Sequence, residues 1–357
     1  MTLELRQVSK RVGADVHIHE TSLMLEPGSF NILLGTTLAG KTTLMKLMAG
    51  LDRPSTGSIW FDGQNVTGVS VQKRNLSMVY QQFINYPNLS VYENIASPLR
   101  VAGVARREID ARVQEVAELL RLTPMLKRRP SELSGGQQQR TALARALAKE
   151  SSLILLDEPL ANLDYKLREE LRDELPKLFA DRNCIVAYAT TEASEALLFG
   201  GNTATLHEGR VTQFGPTSTI YRRPNTLTSA RVFSDPPINV ARIRKAGDEI
   251  VVGERVRWPV GRAARHLADG DYSIGIRPHH ITPHRGNEGS ATIEGRVLVA
   301  ELSGSESVVH FDMDGQTWVS QSQGIHPFEV GSLTRLQVDV ERGFIFSADG
   351  DLMAGGD

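Results

Sequence analysis

The sequence predicts two domains, an α/β domain over about residues 1–235 and a small β domain over residues 236–357. Three observations support this division. The apolar strand Ser29–Leu34 leads directly into a glycine-containing loop and then into an amphipathic helix, Lys41–Ala49. The segment Arg222–Asn239 contains three prolines, so it is a predicted linker. Short strands at close spacing follow this segment, which is typical of a small barrel or sandwich.

The elements of the first domain follow from the spacing of apolar residues. Lys41–Ala49 places Leu44, Leu47 and Met48 on one face, so it is a predicted helix. Two further predicted helices are Arg106–Leu122 and Tyr165–Phe179. The predicted strands are Leu3–Leu5, Val16–His19, Leu23–Leu25, Ser29–Leu34, Ser151–Leu156 and Cys184–Ala189, with a turn and a hairpin strand over residues 52–64. Ser151–Leu156 is almost entirely apolar, which is typical of the middle of a parallel sheet.

Turn residues divide the second domain into short strands. The predicted strands are Glu249–Val252, Tyr272–Ile276, Thr292–Glu301, Ser307–Met313, Thr317–Ser320 and Arg335–Val340. Strands of this length and spacing predict a small β-barrel or sandwich.

Composition excludes several classes of protein. The chain has 357 residues, of which 40% are hydrophobic and 23% charged, so it is neither disordered nor collagen-like. Its formal charge of −2 lacks the basic excess of a duplex DNA binder, and we expect no nucleic-acid partner. Cys184 is the single cysteine, which excludes an internal disulfide and suits a reducing cytosol. The N-terminal residues have no apolar run behind their charges, so we expect no signal peptide. No apolar run reaches the ~18 residues of a membrane span, so we expect other chains to span any membrane at which the protein works.

The segment Gly35–Thr42, GTTLAGKT, fits the phosphate-binding pattern G-x-x-x-x-G-K-[ST] between a strand and a helix. Its glycines let backbone N–H groups close around phosphate oxygens, and the helix start adds its dipole. Lys41 adds a positive charge, and the Thr42 hydroxyl can bind Mg²⁺. A chance loop of small residues is the alternative, but the order of strand, loop and helix counts against it.

Two acids follow the apolar run Leu153–Leu156. Asp157 can hold the Mg²⁺ shell, and Glu158 can orient or deprotonate an attacking water. Alone, such acids could simply make a strand end soluble. Combined with the phosphate loop, they predict a site that hydrolyses a nucleotide.

A second glycine-containing helix start lies at Leu133–Arg140, LSGGQQQR. Ser134 is a good N-cap, and Gly135 and Gly136 leave backbone N–H groups open to a second anion. A plain capped helix is the alternative, but it leaves unexplained why two helix-poor glycines precede three glutamines.

These motifs together resemble the nucleotide-binding subunit of ABC transporters. The phosphate loop, LSGGQQQR, LLDEP at Leu155–Pro159 and LANLD at Leu160–Asp164 occur in the order of that family and at its intervals. Val79–Gln81, followed by YPNLSVYENI, resembles its Q-loop. The implied fold is a P-loop ABC ATPase domain over residues 1–235, with a helical subdomain and signature over about residues 83–148.

The later part of the chain narrows the resemblance. Tyr221–Pro224, Pro236–Asn239 and Gly275–Pro278 resemble importers of the maltose and sn-glycerol-3-phosphate type. Those importers imply a regulatory OB-like, TOBE-type β-domain over residues 236–357. The phosphate loop TLAGKT resembles that of one of the two unlike ATPases in bacterial glycerol importers.

The resemblance also implies roles for individual residues. Mg²⁺ would be held by Thr42, Gln81 and Asp157, and Gln81 would also contact the membrane partner. Glu158 and Gln81 would be catalytic, with Thr191 at the switch position. ATP would be bound by Gly35, Thr36, Thr37, Leu38, Ala39, Gly40, Lys41, Thr42, Thr43, Ser134, Gly135, Gly136, Gln137 and Asp164. In the family two cassettes pair head to tail, so each ATP lies between the phosphate loop of one and the signature of the other.

Two positions depart from the family pattern. The family stacks an aromatic ring on adenine near residue 12, where this chain has Val12. The switch histidine is replaced by Thr191, whose hydroxyl is too short to reach a γ-phosphate and cannot share a proton as imidazole does. Losing one such group costs about 10²–10⁴-fold in rate. We therefore expect the site to bind Mg-ATP but to hydrolyse it slowly.

An intact signature beside an impaired site predicts an unlike partner. A paralogous ATPase that keeps its histidine would be completed by Ser134, Gly135 and Gly136 of this chain. We expect this heterodimer to bind peripherally to integral permease subunits on the cytoplasmic side of the cell membrane, and to work indirectly with a periplasmic solute-binding protein. The expected solute is a sugar, glycerol or a glycerol phosphate, although specificity lies in the other chains.

Rival interpretations differ in how well they fit. A DNA-repair or chromosome ATPase needs a long coiled coil between Lys41 and Ser134, which lie too close for one. A ribosome-associated factor carries two cassettes, whereas this chain has one phosphate loop. A mainly regulatory subunit that holds ATP without turnover agrees with Thr191. A metal site at His17 and His19 is less favoured than a solvated strand face.

Overall fold

A six-stranded, mostly parallel sheet lies at the centre of the first of two units, Met1–Thr217. The computed structural model describes residues 1–180, 182–253, 256–283 and 290–355. The strands of this unit are β1 Leu3–Val12, β2 Asp15–Leu25, β3 Phe30–Gly35, β4 Thr56–Phe61, β5 Gln64–Asn65, β6 Leu76–Val79, β7 Leu153–Asp157, β8 Ile185–Thr190, β9 Asn202–His207 and β10 Arg210–Pro216. Its helices are α1 Lys41–Ala49, α2 Val91–Val101, α3 Arg106–Leu119, α4 Gly135–Ala148, α5 Tyr165–Ala180 and α6 Ala193–Phe199.

The strand order of the central sheet is β10-β9-β3-β8-β7-β6. Every residue of β3, β7 and β8 is buried, which explains why these strands are apolar runs rather than alternating ones. All neighbouring pairs except β9 and β10 are parallel. The carboxyl ends of β3, β6, β7 and β8 therefore meet at one edge of the sheet, and the segments that follow them are brought together there.

A four-stranded antiparallel sheet and a group of helices complete the first unit. The antiparallel sheet has the order β2-β1-β4-β5 and shares an apolar core with α1 and the central sheet. Within this core Leu44, Leu47 and Met48 of α1 are fully buried, as their spacing predicts. Helices α2, α3 and α4 contact one another and form the helical part that follows the Q-loop segment.

The second unit, Ser218–Asp357, is built mainly from short antiparallel strands. Helix α7, Thr217–Arg222, spans the boundary between the units, and the further elements are α8 Leu227–Val232, β11 Asn239–Ala246, β12 Glu249–Val252, β13 Val256–Pro259, β14 Gly270–Ile276, β15 Ile281–Thr282, β16 Ser290–Leu302, β17 Glu306–Met313, β18 Gln316–Gln323, β19 Leu333–Asp339, β20 Phe344–Phe346 and β21 Leu352–Ala354. They form a six-stranded sheet, β13-β12-β11-β14-β20-β21, and a five-stranded sheet, β15-β19-β16-β17-β18.

The five-stranded sheet curls until its two edges almost meet. The edge strands are β15 and β18, and the Ser320 hydroxyl of β18 donates a hydrogen bond to the Ile281 carbonyl of β15 at 2.5 Å. The core of this unit is apolar and includes Trp258 and Trp318 in an edge-to-face contact. The predicted fold class, an α/β domain followed by a small OB-like β domain, is confirmed.

The segment Arg222–Asn239 is more than the linker that its prolines predict. It contains α8, where the Thr226 hydroxyl accepts a hydrogen bond from the Ser229 backbone N–H at 3.1 Å. Ala230 and Phe233 are buried, because apolar side chains of this segment pack in the second unit. The functional boundary near residue 235 stays a prediction. None of the helices in the described part of the chain has the length and apolar character needed to cross a membrane.

Candidate functional site

Four segments that carry predicted site residues leave the central sheet at the same edge. The phosphate loop follows β3, Gln81 follows β6, Glu158 follows β7 and Thr191 follows β8. The structure therefore brings together residues that are far apart in the sequence, because the four strands are parallel.

The phosphate loop bends sharply before α1. Gly40 has a φ of +103°, and a Cβ at this position would lie 2.9 Å from the Ile18 side chain, so the bend requires glycine. The Gly209 N–H donates a hydrogen bond to the Ala39 carbonyl at 3.0 Å, and the His19 N–H donates one to the Gly209 carbonyl at 2.8 Å. The loop is therefore held by β2 and by the turn between β9 and β10.

Lys41 lies over its own loop and is 5% exposed. Its ammonium donates hydrogen bonds to the Gly35 carbonyl at 2.8 Å and to the Thr36 carbonyl at 3.1 Å. The same ammonium lies 3.3 Å from a Glu158 carboxylate oxygen. A buried positive charge thus sits at the loop, with neutral carbonyls as two of its partners.

Asp157 is the most deeply buried acid of the site, with 1% exposure. The Thr42 hydroxyl donates a hydrogen bond to Asp157 Oδ2 at 2.7 Å, whereas the buried Oδ1 has no hydrogen-bond partner among the described residues. Burial raises the pKa of the Asp157 carboxyl above its ordinary value, and the Thr42 hydrogen bond offsets this only in part. A buried carboxylate oxygen without a partner is a position that a cation can fill.

Glu158 is held in a constrained backbone conformation next to Asp157. Its φ is +48°, and its N–H donates a hydrogen bond to the Ala189 carbonyl at 3.0 Å. Gln81 Nε2 donates a hydrogen bond to Glu158 Oε2 at 3.1 Å, while Glu158 Oε1 faces Lys41. Both oxygens of the carboxylate are therefore oriented by side chains that the sequence places in the site.

A cleft of about 450 Å³ opens over the phosphate loop. The predicted residues that line it are Thr37, Leu38, Ala39, Gly40, Lys41, Thr42, Thr43, Gln81 and Glu158. The sequence motifs do not indicate four further lining residues, which are Val16, His17, Glu208 and Gly209. Val12, at the family's adenine-stacking position, is half-exposed at the end of β1 and is not among the lining residues of the described part of the chain.

The signature lies on a different element from this cleft. Ser134 caps α4, since its N–H donates to Gln137 Oε1 at 3.0 Å and its hydroxyl accepts from the Gln137 N–H. Gly135 and Gly136 form the first turn of that helix. The Asp164 carboxylate accepts a hydrogen bond from the Leu167 N–H at 3.0 Å and so caps α5. The roles of these residues toward a second chain stay predictions.

Thr191 is exposed, and it directly follows the buried strand β8. In the described part of the chain it is not among the residues that line the cleft. Its place at the switch position stays a prediction.

Comparisons with known proteins support the family resemblance. The ABC transporter family matches residues 18–161, and the TOBE domain family matches residues 274–346. An sn-glycerol-3-phosphate import ATP-binding protein of Pectobacterium atrosepticum is 32% identical over 98% of this chain and 98% of its own length. A xylose/arabinose import ATP-binding protein of Haloferax volcanii is 33% identical over 94% of this chain and 90% of its own length.

Among solved structures, the dimeric ATP-binding cassette MJ0796 in a post-hydrolysis state with ADP and Pi is 28% identical, with a TM-score of 0.56. The likeness covers 60% of this chain and 98% of the cassette. The cleft over the phosphate loop, the adjacent acids and these similarities lead to one conclusion. The chain is an ABC-type ATPase and belongs to the ABC transporter family, among the ATP-binding subunits of carbohydrate and polyol importers.

Proposed function

We propose that this chain powers solute import through a membrane permease and that its own nucleotide site hydrolyses ATP slowly. The names of relatives that import sn-glycerol-3-phosphate, xylose or arabinose support a sugar, glycerol or glycerol phosphate as the solute. The single observation that supports slow hydrolysis is that Thr191, a residue with a short hydroxyl side chain, directly follows β8. An imidazole that orients or shares a proton there is worth about 10²–10⁴-fold in rate.

The residues behind the phosphate loop fit a magnesium ion. Asp157 Oδ1 is buried without a partner in the described chain, and the Thr42 hydroxyl lies 2.7 Å from the other carboxylate oxygen. Hard oxygen donors of this kind suit Mg²⁺. Asp157, Thr42 and Gln81 would hold the ion, which when bound neutralises charge on the β- and γ-phosphates.

Lys41 and Glu158 would exchange partners when ATP binds. Phosphate oxygens are stronger partners for the Lys41 ammonium than the Gly35 and Thr36 carbonyls, because the hydrogen bonds become charge-assisted. Glu158 is then free of Lys41 and still held by Gln81. The freed carboxylate orients a water and accepts its proton while the γ-phosphoryl group passes to that water and ADP is released.

A groove beside the Q-loop segment is the surface that we assign to the permease. It has a volume of about 840 Å³ and is lined by residues of β6, α2, α4 and the segment Tyr86–Leu89. Tyr86 and Val101 are 50% and 90% exposed, so the groove presents apolar side chains to an occupant. Since Tyr86–Leu89 follows Gln81 closely, an occupant of the groove can act on Gln81 and through it on Glu158. Binding here would place the chain peripherally on the cytoplasmic side of the membrane.

The proposed partner within the ATPase pair is a paralogue that keeps its switch histidine. Ser134, Gly135 and Gly136 are presented at the start of α4, away from this chain's own phosphate loop. In a head-to-tail pair they would complete the site of the paralogue. Most turnover would then occur at the phosphate loop of the paralogue, with a periplasmic solute-binding protein acting only through the permease.

The test uses paired variants in the importer reconstituted with its permease and the paralogous ATPase. Ser134→Arg should lower ATP turnover roughly 10²-fold or more, because it removes transition-state contacts at the competent site. Thr191→Ala should leave turnover nearly unchanged. Equal losses for the two variants would contradict the proposal, and so would fast hydrolysis by a homodimer of this chain on the permease.

The competing interpretation is a mainly regulatory subunit that holds ATP with little effect on turnover. Thr191 favours this interpretation as well, because a site that hydrolyses ATP slowly can still bind it. The two interpretations differ in the role of Ser134, which contributes to turnover only in the first. If Ser134→Arg leaves turnover unchanged but alters its control by solute, the chain is regulatory. Failure to co-purify with permease subunits would favour an ABC ATPase without a transport role.

A further inference from the structure

A buried carboxylate anchors the segment that carries Thr191. Glu195, on α6, is 4% exposed. The Tyr188 hydroxyl donates a hydrogen bond to Glu195 Oε2 at 2.9 Å, and the Thr190 hydroxyl donates one to the same oxygen at 2.6 Å. Tyr188 is 0% exposed and Thr190 is 3% exposed, so both bonds lie out of solvent. Buried hydrogen bonds of this kind are costly to break, which fixes the end of β8 on α6.

Arg172 of α5 supplies the compensating charge. Its guanidinium lies 3.3 Å from Glu195 Oε1 and also pairs with Glu192. Arg168, one turn earlier, donates a hydrogen bond to the other Glu192 oxygen at 3.0 Å. A buried carboxylate is costly to leave without an opposite charge, and Arg172 supplies that charge to Glu195.

These contacts hold the backbone on both sides of Thr191. The Thr190 hydroxyl, besides donating to Glu195, accepts a hydrogen bond from the Glu192 N–H at 3.0 Å. The Ala189 carbonyl, two residues before Thr191, accepts a hydrogen bond from the Glu158 N–H at 3.0 Å, which ties this segment to the residue that follows β7. Residue 191 is therefore held between fixed neighbours, although its own side chain is exposed.

We propose that Glu195, Thr190 and Arg172 form a positioning cluster that holds residue 191 in the geometry of a working switch, so that for hydrolysis this site lacks only the side chain at 191. The proposal rests on the proposed function, in which Thr191 occupies the switch position. It predicts that Thr191→His restores hydrolysis at this chain's own site. The gain depends on the cluster, because an imidazole on a loose backbone would not be aimed at the γ-phosphate.

The hydrolysis test uses the full chain, assayed alone at high concentration, where its intact signature can complete its own phosphate loop in a second copy. Thr191→His should raise the rate by about 10²-fold or more with little change in KM for ATP. In this background, Thr190→Val should abolish the gain, since valine keeps the shape and loses the hydroxyl. Thr190→Ser, the matched control, keeps the hydroxyl and should preserve the gain.

A second measurement reports on positioning without requiring hydrolysis. Amide hydrogen exchange of residues 190–195 should be slow in the wild type and in Thr190→Ser, and faster in Thr190→Val. Equal exchange in all three proteins, or a gain from Thr191→His that survives Thr190→Val, overturns the cluster. If the wild type already hydrolyses ATP as fast as Thr191→His, the slow hydrolysis assumed in the proposed function is wrong. The hydrogen-exchange result still tests whether the cluster positions residue 191.

Discussion

Asp157→Asn should stabilise the nucleotide-free protein while removing its response to magnesium. The wild-type carboxylate is 1% exposed, with one oxygen bonded to Thr42 and the other without a partner in the described chain. A buried polar atom left without a hydrogen-bond partner costs about 1–3 kcal/mol, and more when it is charged. We take the lower end, because the Thr42 hydrogen bond and the nearby Lys41 offset part of the cost that burial and the neighbouring Glu158 impose. A gain of about 1 kcal/mol raises the Tm of a unit this size by about 2–4 °C.

The effect should depend on pH in a defined direction. Burial raises the pKa of Asp157 above its ordinary value, so the folded state holds this proton at a higher pH than the unfolded state does. The wild type therefore loses stability as pH rises from the ordinary value of an aspartate through the raised one. Asparagine does not titrate, so the advantage of Asp157→Asn should be complete above the raised pKa and vanish in acid, below the ordinary pKa.

Thermal unfolding followed by circular dichroism in EDTA gives the measurement. Glu158→Gln is the matched control, since the Glu158 carboxylate is already paired with Lys41 and Gln81 and its loss should not stabilise the protein. Added Mg-ATP should raise the Tm of the wild type by mass action and leave that of Asp157→Asn almost unchanged. A nucleotide-free Asp157→Asn protein no more stable than the wild type at neutral pH would refute the reasoning.

Two further predictions concern ATP and the permease. Lys41→Ala should weaken Mg-ATP binding at least about 10-fold, because the buried ammonium is the main charge available to the phosphates, and calorimetry showing equal affinity would contradict this. Val101→Glu places a charge on the exposed wall of the groove, so it should reduce co-purification with permease subunits. ATP affinity should stay at the wild-type level. Unchanged co-purification would show that the groove is not the docking surface.

Local signals in the sequence predicted the parts of the site that one short segment builds. Helix α1 has the predicted bounds, Lys41–Ala49, because its apolar spacing and the flanking glycines, Gly40 and Gly50, agree. Asp157, the last residue of β7, and Glu158, which follows it, lie at the sheet edge from which the phosphate loop also leaves, as an apolar parallel strand predicts. The spacing of apolar residues and the phosphate-loop motif both depend on a few neighbouring residues, and both predict the same strand, loop and helix.

Residues that reach the cleft from outside these motifs could not be predicted in this way. Val16 and His17 belong to β2, and Glu208 and Gly209 form the turn between β9 and β10. One backbone hydrogen bond joins Gly209 to the loop at Ala39 and another joins it to β2 at His19, and such bonds have no signature in residue type. The prolines of the segment Arg222–Asn239 predicted a linker, but they lie on either side of α8 and not within it, so they do not interrupt the helix.

A buried hydrogen bond links the two segments of this chain that we assign to its two proposed half-sites. Gln139, on the helix that starts at the signature, is 2% exposed and donates a hydrogen bond to the Pro159 carbonyl at 2.8 Å. Pro159 directly follows Glu158, the residue that releases Lys41 when phosphate arrives in the proposed mechanism. This buried hydrogen bond ties the segment that follows Glu158 to the helix that begins at the signature. In the proposed pair, this connection would let ATP bound at this chain's cleft help to position Ser134 at the site of the paralogue.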